Sequence, residues 1–238
     1  MISVLLYFVP HPQGYSSTTS LAKEMQLTVP DAVAAAPTFS PNLQGTSTST
    51  QVSSSCFAAT ETVTLEGGAS KAIADVAVGD RILSADASGK TVFSDVVYVP
   101  HAANSVAAHF VALTTAAGHS VKMTVDHILP AGACGLPTLP LVRADQVPVG
   151  SCVRTVAGEE QVVSVSSYAG RGVYTVVTNE PYIVVNGIIA TPVGGVNPAL
   201  AQWYYNLHRL VYAFAPKAVL ASQGWLQGAM ESVGALLM

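Results

Sequence analysis

Charge is what this chain has least of: only 10% of its 238 residues are Asp, Glu, Lys or Arg, and the formal net charge is -4. That balance supplies neither the basic footprint that nucleic acid requires nor an acidic tail, so no nucleic-acid partner is expected. Cysteine is scarce as well. The three present, Cys56, Cys134 and Cys152, are an odd number that cannot close into a disulfide framework and leave at least one thiol free. No CxxC or HxxxH pair occurs, so nothing points to a metal, and no cofactor is implied. Long apolar runs are also missing at the amino terminus. Residues 1–9 are apolar from Ile2 to Val9, but no basic residue precedes them and Pro10 follows at once. This makes a poor signal peptide and is far too short to span a bilayer. A strand, a frayed end or an incomplete targeting segment would each fit.

What the chain does have falls into three parts: 1–55, 56–192 and 193–238. The first is rich in Pro, Ser, Thr, Ala and Gln, with Ser/Thr alternation over 46–50, and reads as a disordered linker or remnant with at most a short helix at 20–26. From Cys56 onward, short Val-, Thr- and Tyr-rich runs recur between turn residues. They predict strands at 62–65, 81–83, 92–99, 109–115, 121–124, 151–156, 161–166, 172–178 and 182–186, with no full-length helix between them: an all-β domain.

The β region echoes itself. Ala74, Asp75, Val78 and Gly79 are matched by Ala144, Asp145, Val149 and Gly150, the two glycines 71 residues apart. Each copy is followed by a valine-rich strand, at 93–97 and 161–165, and more loosely 110–115 matches 173–178. Three matches in the same order predict a pseudo-two-fold module. After Thr191-Pro192 the pattern changes to helical spacing. Pro198 opens a helix carrying Leu200, Trp203, Tyr204, Leu207 and Leu210 until Pro216, and a second helix from Lys217 completes a helical hairpin. Its glycines and glutamines argue against a transmembrane span, and it is expected to pack on the β module or lie on a membrane surface. Trp203 and Trp225 read as helix-packing residues.

Cys56 stands at the boundary where spacer gives way to β module. A thiolate there can attack the carbonyl of Ser55 and turn a peptide bond into a thioester; the bland alternative is a small buried hydrophobe. Such a nucleophile needs a base, and its departing amine needs a proton. His127, in the run Thr124-Val125-Asp126-His127 after a strand, can supply both, and Thr124 can hydrogen-bond the Ser55 carbonyl. Cys152 reads as core and Cys134 as a loop residue with no nearby partner. His109, His119 and His208 belong to no constellation, and Asn186-Gly187 reads as a plain turn.

Taken in order, Cys56-Phe57, Glu61 to Glu66, Val78 to Leu83, Phe93 to Val96, Thr124-x-x-His127-x-Leu129 and Ile183 to Asn186 resemble the Hint (hedgehog/intein) module, in the form of a hedgehog-type autoprocessing domain. The resemblance covers roughly 56–192, and the helical tail from Asn197 looks like the sterol-recognition extension that follows it in that family. It implies a pseudo-symmetric all-β fold and a two-step reaction. Cys56 would attack Ser55 in an N-to-S acyl shift, with His127 protonating the amide nitrogen and Thr124 polarising the bond. A sterol or other lipid alcohol would then take the acyl group. It also implies a secretory or membrane-associated setting, with peripheral membrane contact through 197–238, in a chain expected to act as a monomer.

Three departures from that family stand out. Ser55 replaces its glycine. His101 stands where the family places the aspartate that activates the sterol hydroxyl, and imidazole can act as that base or serve a different acceptor. Pro192 stands where the family has a further cysteine, a redox partner for the first. Residues 1–55 do not resemble a folded signalling domain. Intein splicing is excluded, because the terminal His-Asn it requires is replaced by the run Ile189-Ala190-Thr191-Pro192. Thioester hydrolysis by water, and a non-enzymatic β module with a binding tail, stay open.

Overall fold

Runs of β-branched residues, cut by glycines in left-handed turns, condense into strands. The computed structural model describes residues 56–100, 105–194 and 198–215. In chain order, β1 is Phe57–Ala58, β2 Thr62–Thr64, β3 Ser70–Ala72, β4 Arg81–Ala85, β5 Thr91–Tyr98, β6 Ala107–Thr115, β7 Ser120–Thr124 and β8 Ile128–Gly132. Then come β9 Leu141–Arg143, β10 Cys152–Thr155, β11 Gly158–Arg171, β12 Val173–Tyr174, β13 Val177–Thr178, β14 Tyr182–Val185, β15 Ile188–Ala190 and α1 Pro198–Phe214. Hydrogen-bonded neighbours run β12-β1-β7-β6-β11-β10-β15-β14-β4-β5-β13, with β8 and β9 joined at β10 and β2–β3 a separate hairpin. The pairings are antiparallel, and the all-β expectation holds.

The internal echo is a real duplication of structure. Hairpin β2–β3 leads to a 3-10 turn at Ile73–Asp75, a left-handed Gly79 (φ 96°) and hairpin β4–β5; hairpin β8–β9 leads to a 3-10 turn at Ala144–Gln146, a left-handed Gly150 (φ 94°) and hairpin β10–β11. A side chain at either glycine would strain the turn, which is why both copies keep glycine. The hydrogen bonds repeat too: Gly79 N–H donates to Val96 O at 2.9 Å and Gly150 N–H to Val162 O at 2.8 Å. The two halves exchange strands. β6, which follows β5, pairs with β11 of the second half, while β13, which follows β11, pairs with β5 of the first. The loose match of 110–115 with 173–178 therefore has a topological meaning.

Between the halves lies one apolar core, with Ile73, Ile82, Leu113, Met123, Ile183 and Ile188 all but sealed from solvent. Each such side chain contributes about 1.5–3 kcal/mol over an exposed one. Helix α1 lies against the sheet by Tyr204, Tyr205 and Tyr212, which pack on Val97, Tyr98 and Val177. Arg209 pins it there, donating to the carbonyls of Thr178 (2.7 Å) and Glu180 (2.9 Å).

Several expectations need correction. Strands β3, β8, β9 and β15 are too short, or too poor in alternation, to show in the sequence, and β11 runs to Arg171 because β6 supplies a partner from Val162 onward. The stretch 172–178 is two short strands rather than one. Cys134 and Cys152 are neither a lone loop thiol nor a free core thiol: they form a disulfide, brought together because β10 pairs with β8, whose hairpin loop carries Cys134. Trp203 is not a packing residue but 56% exposed, on the outward face of α1 with Leu210 and Phe214. Residues 1–55, the second helix of the expected hairpin and Trp225 lie outside the described residues.

Candidate active site

Cys56 enters the fold as the residue before β1, a two-residue strand held between β7 and β12 through Phe57 against Met123 and Tyr174. Both flanks being occupied, its thiol is fully buried, packed with Ala58, Phe110 and Val173. Unlike Cys134 and Cys152, it forms no disulfide. The end of β7 grips it twice: Cys56 N–H donates to Thr124 Oγ1 at 3.0 Å, and Thr124 N–H donates to Cys56 O at 2.8 Å. Thr124 was expected at the Ser55 carbonyl; the bond found is to the nitrogen of the same peptide, the atom that must leave.

After Thr124 the chain turns, His127 N–H donating to Thr124 O at 3.0 Å, and this brings the imidazole under Phe57 with ring centroids 4.3 Å apart. His127 is fully buried and its Nε2 lies 2.9 Å from Thr191 O. A carbonyl only accepts, so Nε2 carries the hydrogen and Nδ1 of the neutral ring is left with its lone pair. That Nδ1 is buried and makes no hydrogen bond, as does Asp126 Oδ2 beside it. Burial pulls the His127 pKa down to about 4, against the Thr191 carbonyl and the charge of Asp126, which raise it. The ring is therefore neutral at pH 7. Chemically it is a base first: it can take a proton from a thiol and, once charged in a site that disfavours the charge, give it up readily.

Thr191, which sequence reasoning passed over as a mere non-splicing residue, is thus what sets the tautomer. It is itself fixed, its hydroxyl donating to Ile128 O at 2.7 Å. The structure brings Cys56, Thr124 and His127 together from chain positions up to 71 residues apart. Ser55 and His101 lie outside the described residues. His119 does have a partner, Glu160 at 2.9 Å, and Asn186, far from a plain turn, is left-handed (φ 49°) and half-buried in a polar network with Glu61. Neither was visible locally, since the bonded groups lie 41 and 125 residues apart.

Against known proteins, the profile of the Hint module matches residues 40–228. The chain is 32% identical over 178 residues to Protein hedgehog of Drosophila hydei, and 30% identical over 178 residues to Warthog protein 6 of Caenorhabditis elegans. Each alignment takes in 72% of this chain but only 35% and 29% of those proteins, so the chain spans about a third of the length of its relatives. Among solved structures, a DnaB intein from Synechocystis is 16% identical with a TM-score of 0.48, over 60% of this chain and all of the intein. An intein-like domain from Clostridium thermocellum is 18% identical with a TM-score of 0.44, over 57% of this chain and 97% of that domain.

Proposed function

We propose that this chain, which belongs to the Hint family, cuts itself between Ser55 and Cys56 and passes its amino-terminal piece to an alcohol. Hint modules of hedgehog proteins and inteins are self-processing. For this chain the reading rests above all on the hydrogen bond from Cys56 N–H to Thr124 Oγ1, which fastens the nitrogen of the scissile peptide to the same threonine whose carbonyl accepts from His127 N–H, a histidine with an open Nδ1. His127 Nδ1 takes the proton of the Cys56 thiol, and the thiolate adds to the Ser55 carbonyl. The carbon–nitrogen bond then breaks as the imidazolium returns the proton to the Cys56 nitrogen. The product is a thioester on Cys56. In the second step a sterol or other lipid alcohol, deprotonated by His101, takes the acyl group and frees the thiol.

A secretory or membrane-associated setting accompanies this reading. The Cys134–Cys152 disulfide favours an oxidising compartment, and the exposed apolar stripe of Trp203, Leu210 and Phe214 on α1 suits peripheral membrane contact through 197–238. No helix among the described residues is long and apolar enough to cross a membrane.

The test is intact-mass analysis after incubation with dithiothreitol or hydroxylamine. Cleavage between Ser55 and Cys56 is expected, and Cys56→Ala should abolish it; full-length protein under both conditions would sink the reading. The mass of the piece released without added thiol separates transfer from hydrolysis, because water leaves a free acid.

A further inference from the structure

Natural sheets blunt their open edges with short strands, charges or proline, because an unpaired row of N–H and C=O groups recruits any strand that fits. The two ends of the long sheet follow that rule: β12 and β13 are two residues each. Strand β11 does not. It is 14 residues long, and on the flank toward β10 it is covered only at its start, where Gly158 to Gln161 pair with β10 and Val162 bonds to Gly150 and Ser151. From Ser164 to Arg171 its partners among the described residues lie on β6 alone.

Nothing in that stretch guards the open edge. The run from Val163 to Gly170 contains no charge and no proline, and its valines and tyrosine favour extended backbone. The one shift of register against β6, between Val162 and Ser164, comes at the start of the run and not within it. The run is also in solvent: Val163 is 49% and Tyr168 37% exposed, and Ser164, Ser166 and Ser167 are exposed with them. Charge sits only at the ends of the strand, Glu159 and Glu160 near its start and Arg171 at its close.

That polarity selects the occupant. A neutral edge offers a charged peptide nothing to read. It does fit its own copy laid antiparallel, which brings each basic end toward the acidic end of the other, whereas parallel pairing would set Arg171 on Arg171. We propose that the open edge of β11 is the interface of a two-fold dimer, in place of the expected monomer, with the strands of two copies paired antiparallel about Ser167, the midpoint of the open run. Val163 then lies opposite Arg171, Val165 opposite Ala169 and Ser166 opposite Tyr168, and Ser167 faces its own counterpart. The strand order β12-β1-β7-β6-β11 continues through the axis into the second copy as one sheet. Main-chain groups left open in each copy satisfy those of the other.

The test is the mass of the full chain in solution, by sedimentation equilibrium over a concentration series. Wild type should dimerise. Ser167→Lys sets two like charges face to face at the axis and should raise the dimer dissociation constant about a hundredfold. Ser167→Glu should weaken it in the same way, and mixing the two variants should restore a dimer with one copy of each. Residue 167 is exposed, so neither change touches the core, and recovery in the mixture itself shows both variants folded. A wild-type chain that is monomeric at about 100 μM would overturn the proposal and leave the edge to a strand of another protein. So would a dimer indifferent to Ser167→Lys, which would place the contact elsewhere, such as the exposed apolar face of α1. Variants that separate yet do not associate when mixed would overturn the pairing about Ser167.

Discussion

The two halves of the duplicated module put different residues in the same place. In the first half Glu61 precedes hairpin β2–β3 and its carbonyl accepts from Ile73 N–H at 2.7 Å; in the second, His127 precedes hairpin β8–β9 and its carbonyl accepts from Ala144 N–H, also at 2.7 Å. Both side chains are buried. The Glu61 carboxylate is fully engaged, taking hydrogen bonds from Lys122 N–H (3.0 Å) and Asn186 Nδ2 (2.6 Å), and Asn186 in turn accepts from Thr62 N–H at 2.8 Å. His127 has one nitrogen bonded and one open. One backbone frame thus carries a saturated polar network that holds the halves together and, at His127, an unsaturated one. The open nitrogen of His127 is free to accept a proton from a group brought to it, whereas the Glu61 carboxylate is already occupied by structural donors.

The largest effect is expected from abolishing that difference. His127→Ala should slow thiolysis about 10²–10⁴-fold, the usual worth of a positioned proton carrier, followed by mass against time. An equal slowing from Asn186→Ala, measured per folded molecule, would show that the halves do not divide the work as described.

A second asymmetry concerns how each half ties its hairpin turn to the strand that follows. In the first half Arg81 pairs with Glu66 at 2.8 Å on the surface; in the second the corresponding link is the Cys134–Cys152 disulfide, closing 18 residues. Replacing both cysteines with serine should lower the unfolding free energy by about 3 kcal/mol in denaturant titrations. Arg81→Ala should be hard to distinguish from wild type, since exposed pairs are screened. Asn186→Ala, which strips Glu61 and Thr62 of a partner together, should cost about 1–3 kcal/mol by the same measurement.

The two halves also differ in pH dependence, where Glu61 and His127 act with opposite sign. Burial lowers the folded pKa of His127 from 6.5 to about 4. The unfolded chain therefore takes up the proton first. Stability from this group is complete above pH 6.5, is lost as pH falls toward 4, and amounts to about 3 kcal/mol at most. Burial raises the Glu61 pKa above 4.5, so the folded chain holds that proton longer and regains some stability over the acid part of the same window. Glu61→Gln removes the gain, and its unfolding free energy should fall more steeply between pH 6.5 and 4 than that of the wild type. Parallel curves would show that the carboxylate is not desolvated enough to matter.

Much of this protein was legible from local pattern. The alternation of β-branched residues announced an all-β module, the repeated Val-Gly step announced its duplication, and the change of composition at Cys56 marked where the described module begins, with His127 three residues beyond a strand-ending threonine. Those signals span a few residues each and are set by backbone turn chemistry and side-chain periodicity, which the chain carries before it folds. What pairs with what was decided only in three dimensions. The disulfide arose because β8 and β10 are neighbours, Asn186 became a strut because it meets Glu61 from 125 residues away, and His208 became a buried, open nitrogen only because α1 docks over Tyr98. Hydrogen-bond saturation, which separates Glu61 in one half from His127 in the other, depends on long-range neighbours that no local pattern encodes, and for that reason the tertiary structure alone assigns it.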